Sequence, residues 1–132
     1  MKSVVPEDRF CRRCGRRIEW RRKWAADWER IAYCGEKCRR HKLGRRDREI
    51  ERALMVRAGR SAAGATFCPS EVARTVGGED WREWMETVRE AARRLVVRGE
   101  LEVLQRGAVV DASTARGPIR LRRVDERPAP RF

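Results

Sequence analysis

Four cysteines in the first third of the chain restrict its fold more than any other feature. Cys11 and Cys14 form a C-x2-C pair, and Cys34 and Cys38 form a C-x3-C pair after nineteen intervening residues. This spacing is close to that of four-thiolate zinc sites, because each short pair lets adjacent backbone place two sulfurs on one tetrahedral ion. Gly15 permits a tight turn directly after the first pair. The pattern predicts one structural zinc ion held by the four cysteines.

Disulfides and reduced core thiols are the alternatives to zinc. Disulfides persist mainly in oxidising compartments, and the first ten residues contain no apolar run typical of a secretory signal. We therefore expect a cytoplasmic protein. No stretch of 18 apolar residues is present, so we expect no membrane partner. His41 could replace one cysteine as a ligand, but four cysteines already complete a zinc site.

The charge of the chain is strongly unbalanced and predicts a polyanionic partner. Its 33 Lys+Arg and 20 Asp+Glu give a net charge of +13. Residues 1–45 carry 15 basic and 6 acidic groups (+9), whereas residues 46–124 carry 16 and 12 (+4). Nucleic acid is the first candidate, with RNA as plausible as DNA. The alternative is an ordinary solvated surface that is rich in arginine.

Three tryptophans lie at helical spacing between the two cysteine pairs. Trp20, Trp24, Trp28 and Ile31 recur at intervals of four, four and three, which predicts one apolar stripe on a helix. In so small a module the stripe is expected to shield the metal as core. The sharper alternative makes the tryptophans stacking platforms for bases, because basic residues occupy positions 21–23.

The order of these segments is typical of a treble-clef zinc finger. A cysteine knuckle comes first, a short extended segment follows, and the second cysteine pair opens a helix whose dipole favours thiolates. We expect this zinc module at residues 9–43. The polar stretch that follows it marks a boundary, and a disordered tail is expected at residues 125–132.

Residues 47–124 show the pattern of a second module. Helical spacing predicts helices near residues 48–60 and 68–76, and a longer one that starts at Asp80 as N-cap. The long helix places apolar residues on one face: Trp81, Trp84, Met85, Val88, Ala92, Leu95 and Val96. Strands then follow near residues 101–106, 109–110 and 119–122. Three helices and a β-hairpin are the order of a winged helix. The predicted fold class is α+β, a small treble-clef-like four-Cys zinc module followed by a winged-helix module.

Phosphate contacts are expected from the zinc module and from the wing, where the sequence places few acids. The expected nucleic-acid-binding residues are Arg12, Arg13, Arg16, Arg21, Arg22, Lys23, Arg116, Arg120, Arg122 and Arg123. The long helix mixes signs, since Glu86 lies among Arg82, Arg89 and Arg93. Groove recognition by this helix is therefore the weaker hypothesis.

Two other function classes are compatible with residues of this chain. In an enzyme, Cys68 at a helix start would be the nucleophile and His41 the base. A buried structural cysteine is the simpler explanation, so we expect neither catalysis nor a small-molecule substrate. In an adaptor, the winged helix would dock a protein partner, and binding would then depend little on salt.

Both halves resemble bacterial families. The runs C-R-R-C-G-R, W-R-R-K-W and Y-C-x-x-x-C-R, within residues 9–41, resemble domain-of-unknown-function family 2256, a presumed zinc-binding family. That resemblance implies metal binding through the four cysteines. The runs C-P-S-E-V-A-R, G-G-E-D-W-R, A-A-R-R-L and A-R-G-P-I-R-L, within residues 47–123, resemble domain-of-unknown-function family 3253 and favour the winged helix.

Overall fold

The computed structural model describes residues 7–125, in which α-helices combine with two small antiparallel sheets. The mixed α and β composition predicted from the sequence is confirmed. Most of the expected disordered tail, residues 126–132, lies outside the described residues. No helix within residues 7–125 combines the length and the hydropathy that crossing a bilayer requires.

The amino-terminal part is a strand pair and a short helix. Strand β1 (Arg9–Phe10) pairs antiparallel with β2 (Arg17–Ile18), and the first cysteine pair lies in the loop between them. Helix α1 (Glu36–Arg40) contains Cys38, and Cys34 lies just before it.

The predicted tryptophan helix is wrong. The segment instead forms two 3-10 turns, Arg22–Trp24 and Trp28–Arg30. A twelve-residue helix would rise about 18 Å and carry the chain away from the first cysteine pair. The compact turns bring it back to Cys34. Trp28 is nevertheless 5% exposed, so its expected core role holds.

Three further α-helices build the second part: α2 (Arg45–Gly59), α3 (Pro69–Gly77) and α4 (Met85–Val97). At the start of α2 the Asp47 carboxylate accepts the Gly44 N–H at 2.8 Å. At the start of α3 the Glu71 carboxylate accepts the Cys68 N–H at 3.1 Å. Both side chains satisfy a backbone donor at a helix start, as in a capping box.

The long helix begins later than its sequence predicts. Residues Gly78–Trp84 form 3-10 turns that a kink at Asp80 (φ −93°, ψ 21°) interrupts, and α4 itself starts only at Met85. Gly77 lies so close to Trp84 that an added Cβ would come within 2.4 Å of the indole Cδ1. This tight connection folds Trp84 back onto α3, and α4 can begin only after it.

A three-stranded sheet follows the helices: β3 (Leu101–Gln105), β4 (Ala108–Val110) and β5 (Arg120–Arg123). Its strand order is β4-β3-β5, antiparallel throughout. Arg106 and Gly107 both have positive φ (52° and 79°), as a two-residue type I′ hairpin turn requires. Phe67 and Leu121 exchange two backbone hydrogen bonds of 2.9 and 2.8 Å, which attach β5 to the segment before α3.

Buried apolar side chains form two separate clusters. The amino-terminal cluster consists of Cys11, Cys14, Ile18, Trp28 and Cys38. The second cluster consists of Ile50, Leu54, Ala58, Phe67, Val72, Ala73, Val88, Ala91, Ala92, Leu95, Leu101, Val103 and Leu121. Of the apolar residues predicted on one face of the long helix, Val88, Ala92 and Leu95 are buried, whereas Trp81, Trp84, Met85 and Val96 are half-buried at the edge of the second cluster.

Candidate metal centre and charged surface

The structure brings the sulfurs of all four predicted ligands together. The Sγ atoms of Cys11, Cys14, Cys34 and Cys38 lie within 4.8 Å of one another. Cys34 Sγ is 3.6 Å from both Cys14 Sγ and Cys38 Sγ. Tetrahedral zinc with Zn–S bonds of about 2.3 Å separates its sulfurs by about 3.8 Å. The cluster is therefore of the right size to hold a metal ion.

Backbone hydrogen bonds shape the loop that carries the first pair. The Gly15 N–H donates to the Cys11 carbonyl at 3.0 Å, and the Cys11 N–H donates to the Arg16 carbonyl at 2.8 Å. The Arg12 N–H donates to the Ala32 carbonyl at 2.8 Å. The Arg12–Ala32 bond holds the loop next to the segment that precedes Cys34, and this brings the two cysteine pairs together.

The packing of the cysteine cluster opposes the ionisation of two of its thiols, Cys14 and Cys34. Hydrogen bonding from Cys14 lowers the pKa of Cys11 to about 4, and the same contact raises the pKa of Cys14. Burial raises the pKa of Cys34 to about 11. Four thiolates so close together repel one another, and a divalent metal ion removes that penalty. Cysteine thiolates favour zinc and other soft metals.

The cysteine loop packs directly on α4. Gly15 has a φ of +75°, and a Cβ added there would lie 2.5 Å from Arg93 Cβ and 2.7 Å from the Arg94 backbone nitrogen. Only glycine fits this approach, because any side chain would collide with helix backbone. The sequence predicted a tight turn at Gly15 directly after the cysteine pair. It did not predict that this turn packs on α4.

Two buried arginines of α4 hold the cysteine loop in place. Arg93 Nε donates to the Cys14 carbonyl at 2.6 Å, and an Arg94 guanidinium nitrogen donates to the Arg13 carbonyl. The Arg93 and Arg94 side chains are 9% and 4% exposed. Arg94 Nε also donates to Glu51 at 2.7 Å, so it joins the cysteine loop to α2 as well.

An ion pair also lies beside the candidate metal ligands. Arg13 NH1 is 2.9 Å from Glu90 Oε2 and 4.0 Å from Cys38 Sγ. Burial raises the pKa of Glu90, although the charge of Arg13 opposes that rise. Glu90 and Arg94 lie four residues apart on α4, a spacing at which opposite charges can pair along a helix. In the structure Glu90 pairs with Arg13, and Arg94 pairs with Glu51.

The remaining basic residues expected in the zinc module are exposed. They are Arg12, Arg16, Arg21, Arg22 and Lys23. None of the five forms an ion pair with a residue in the described range 7–125. Arg13 differs from them because its guanidinium is already paired with Glu90.

The four arginines expected in the wing divide into two sets. Arg116 and Arg120 are exposed, and Arg120 donates to Thr66 Oγ1 at 3.0 Å. Arg122 lies 2.6 Å from Glu102, and Arg123 lies 2.6 Å from Asp125. The expectation that these two arginines lack nearby acids is wrong. The antiparallel register places Glu102 directly opposite Arg122, and Asp125 lies two residues after Arg123, the last residue of β5.

The two residues of the catalytic alternative occupy ordinary structural positions. Cys68 is the half-buried N-cap of α3, and Ser70 Oγ donates to its sulfur at 3.0 Å. His41 is the exposed residue that ends α1. In the part of the chain that the structure describes, no hydrogen bond joins them.

The fold and the cysteine cluster together define a mixed helix and sheet protein with a candidate metal site. The chain belongs to the family described as "Protein of unknown function (DUF3253)", whose model matches residues 47–124. Residues 1–41 match the model described as "Uncharacterized protein conserved in bacteria (DUF2256)". The resemblance of the two halves to two families is thus confirmed, in the expected order. No curated protein matches the chain.

Proposed function

We propose that this protein is a non-catalytic zinc protein that binds nucleic acid through the phosphate backbone. One zinc ion, held by Cys11, Cys14, Cys34 and Cys38, is structural. The observation that carries the proposal is the set of five exposed cations within residues 12–23, none paired with an acid of residues 7–125. Cations free of acidic partners can each approach a phosphate and release its counterions.

The fold proposed for the two parts is a treble clef followed by a winged helix. In support, a strand–loop–strand unit carries the first cysteine pair, and α1 carries Cys38. Helices α2 to α4 are followed by the sheet β4-β3-β5, which is the element order of a winged helix.

The surface around Trp24 supports a nucleic-acid partner. Arg21 and Lys23 place their charged groups 5.4 and 5.2 Å from the centroid of the half-buried Trp24 ring. In single-stranded nucleic acids, such cations can bind the phosphate backbone while a base stacks on the accessible aromatic ring. Arg12, Arg16 and Arg22 extend the same cationic segment.

Helix α4 is less suited to entering a groove. The cysteine loop covers it at Arg93 and Arg94, which are buried. Arg89 donates to the Gly117 carbonyl at 3.1 Å. Two of the three arginines considered for groove recognition are thus engaged within the chain. This favours phosphate binding by the cysteine module (residues 9–43) and by the wing.

Fluorescence anisotropy with single-stranded RNA, single-stranded DNA and duplex DNA, over a range of salt, tests the proposal. Affinity should fall log-linearly with salt concentration. Changing Arg21, Arg22 and Lys23 together to Gln should lower affinity and flatten the salt slope by about two on single strands and about three on duplex DNA. The matched control changes Arg45, Arg48 and Arg52, three exposed arginines of α2, to Gln.

Two outcomes would overturn the proposal. One is an equal loss of affinity in the control triple, which would mean that only total charge matters. The other is the lack of salt-dependent binding to any of the three nucleic acids by protein that carries its metal. That result would leave docking to a protein partner as the better explanation.

A further inference from the structure

A groove on the wing combines cations, an apolar floor and a thiol. It has a volume of about 830 Å³, within the range of ligand sites. The groove lies between the β3–β4 hairpin and the connection from β4 to β5, and the start of α3 closes one side. The residues that line it are Cys68, Leu104, Gln105, Arg106, Val110, Arg116, Pro118, Ile119 and Arg120.

Hydrogen bonds fix the walls of this wing groove. Gln105 Nε2 donates to the Arg116 carbonyl at 2.6 Å and to the Pro118 carbonyl at 3.2 Å. Arg89 on α4 donates to the Gly117 carbonyl at 3.1 Å. The β4–β5 connection is therefore held against both the sheet and α4, and the groove is formed before any ligand arrives.

The lining of the wing groove has one sign of charge. Arg106, Arg116 and Arg120 contribute three cations, and the described residues that line it include no acid. The guanidinium of Arg120 is held in place by Thr66, which accepts from its Nε and its NH2 at 3.0 Å. Arg106 lies at the tip of the hairpin turn and Arg116 on the facing connection. An anion between them would be approached from two sides.

We propose that the wing groove holds one unpaired nucleotide of a single-stranded nucleic acid, an inference that rests on the proposed function. Arg106, Arg116 and Arg120 face its phosphates, and its base lies on the aliphatic floor of Val110, Pro118 and Ile119. The side-chain oxygen of Gln105 can accept a hydrogen bond from the edge of the base, because only its Nε2 atom bonds to the Arg116 and Pro118 carbonyls. A duplex offers phosphates but keeps its bases stacked, so it would leave the apolar floor uncovered.

Cys68 provides a direct reporter of occupancy. It is the one cysteine of the chain outside the metal cluster, and it lines the wing groove. In zinc-loaded protein, N-ethylmaleimide should therefore modify Cys68 selectively. Intact mass spectrometry would follow the rate with and without a short oligouridylate. We expect the oligonucleotide to slow the reaction severalfold, and the Cys68→Ser variant to show which adduct is being followed.

Two matched variants separate the groove from the general charge of the protein. Changing Arg116 and Arg120 together to Gln should remove the protection of Cys68. Changing Arg48 and Arg52, exposed on α2, to Gln should leave it intact. Uridine monophosphate at the same nucleotide concentration should protect much less than the oligonucleotide. Equal protection by the mononucleotide would instead make the groove a small-molecule site and overturn the inference.

Affinity provides a second measurement that does not depend on the reactivity of Cys68. The Arg116/Arg120 variant should bind single-stranded RNA about tenfold or more weaker at low salt, because two phosphate contacts are lost. Its affinity for duplex DNA should change much less. Unchanged single-strand affinity, or an equal loss for the duplex, would overturn the groove while leaving phosphate binding by the cysteine module in place. Failure of the unaltered protein to bind any nucleic acid would overturn both.

Discussion

The two hydrophobic clusters of this protein are stabilised in different ways. The amino-terminal cluster has five buried residues, three of which are cysteines of the candidate metal site. The second has thirteen buried residues, all apolar, drawn from three helices and the sheet. The burial of so few apolar side chains rarely offsets the conformational entropy lost on folding unless a disulfide or a metal ion adds stability. On this comparison, a metal ion held by the cysteines would take the place of apolar burial in one part, whereas apolar packing suffices in the other.

Loss of the metal should have the largest effect and should separate the two parts. Structural zinc supplies on the order of 10 kcal/mol in modules of this size, so Cys14→Ser should unfold residues 9–41. The second cluster should keep its secondary structure, because all its buried residues lie between positions 50 and 121. Amide NMR spectra of the variant, with zinc content from elemental analysis, would check this. The idea fails if protein purified in reducing, chelator-free buffer carries no metal.

A smaller effect is expected where the two parts touch. Gly15→Ala combines a positive φ with a collision against α4, and overpacking of this kind costs about 1–3 kcal/mol. Gly64→Ala is the matched control, because Gly64 also has a positive φ (+81°) and nothing lies within 4 Å of an added Cβ. Chemical denaturation of both variants gives the difference. Equal losses of stability would mean that the loop does not pack on α4 as described.

The smallest effect is expected from the ion pair across the same contact. Arg13→Gln leaves Glu90 buried without its partner, and we expect a loss of about 1–2 kcal/mol at neutral pH because the pair is partly solvated. Burial already raises the pKa of Glu90. A carboxyl with a raised folded-state pKa destabilises the fold once it ionises, so the loss should shrink as the pH falls through that pKa.

Denaturation at pH 5 and pH 7, with Glu90→Gln added to Arg13→Gln, completes this test. The double variant should regain most of the lost stability at pH 7, because no uncompensated charge remains. A double variant as unstable as the single one would show that Arg13 acts through packing and not through its charge.

Local patterns in the sequence predicted much of this molecule. The cysteine spacing identified the cluster because ligands a few residues apart are fixed by adjacent backbone. The apolar period located α2, and α3 was expected at 68–76 and is found at Pro69–Gly77. The start of α4 was missed by several residues because the tight contact of Gly77 with Trp84 decides it. The predicted helix through the tryptophans was wrong for a related reason, because the chain returns to the cysteine cluster within this segment.

The charged contacts could not be predicted in this way. Arg93 and Arg94 lie on a helix of mixed charge, and their acceptors include the carbonyls of Cys14 and Arg13, some eighty residues away. Glu102 and Arg122 meet only once strand register is known. Periodicity along one element reports which face is apolar. Periodicity does not reveal which distant backbone segment packs on the polar face of the same element.

The bonding of Phe67 to Leu121 has a consequence for how the chain folds as it is made. Phe67 is fully buried, and its backbone partner belongs to the final strand. The second core therefore cannot close until the chain has been synthesised past Leu121. The cysteine cluster has all its ligands once Cys38 has emerged. At ribosomal speeds of about 5–20 residues per second, this gives the metal several seconds to bind before the rest of the protein can close.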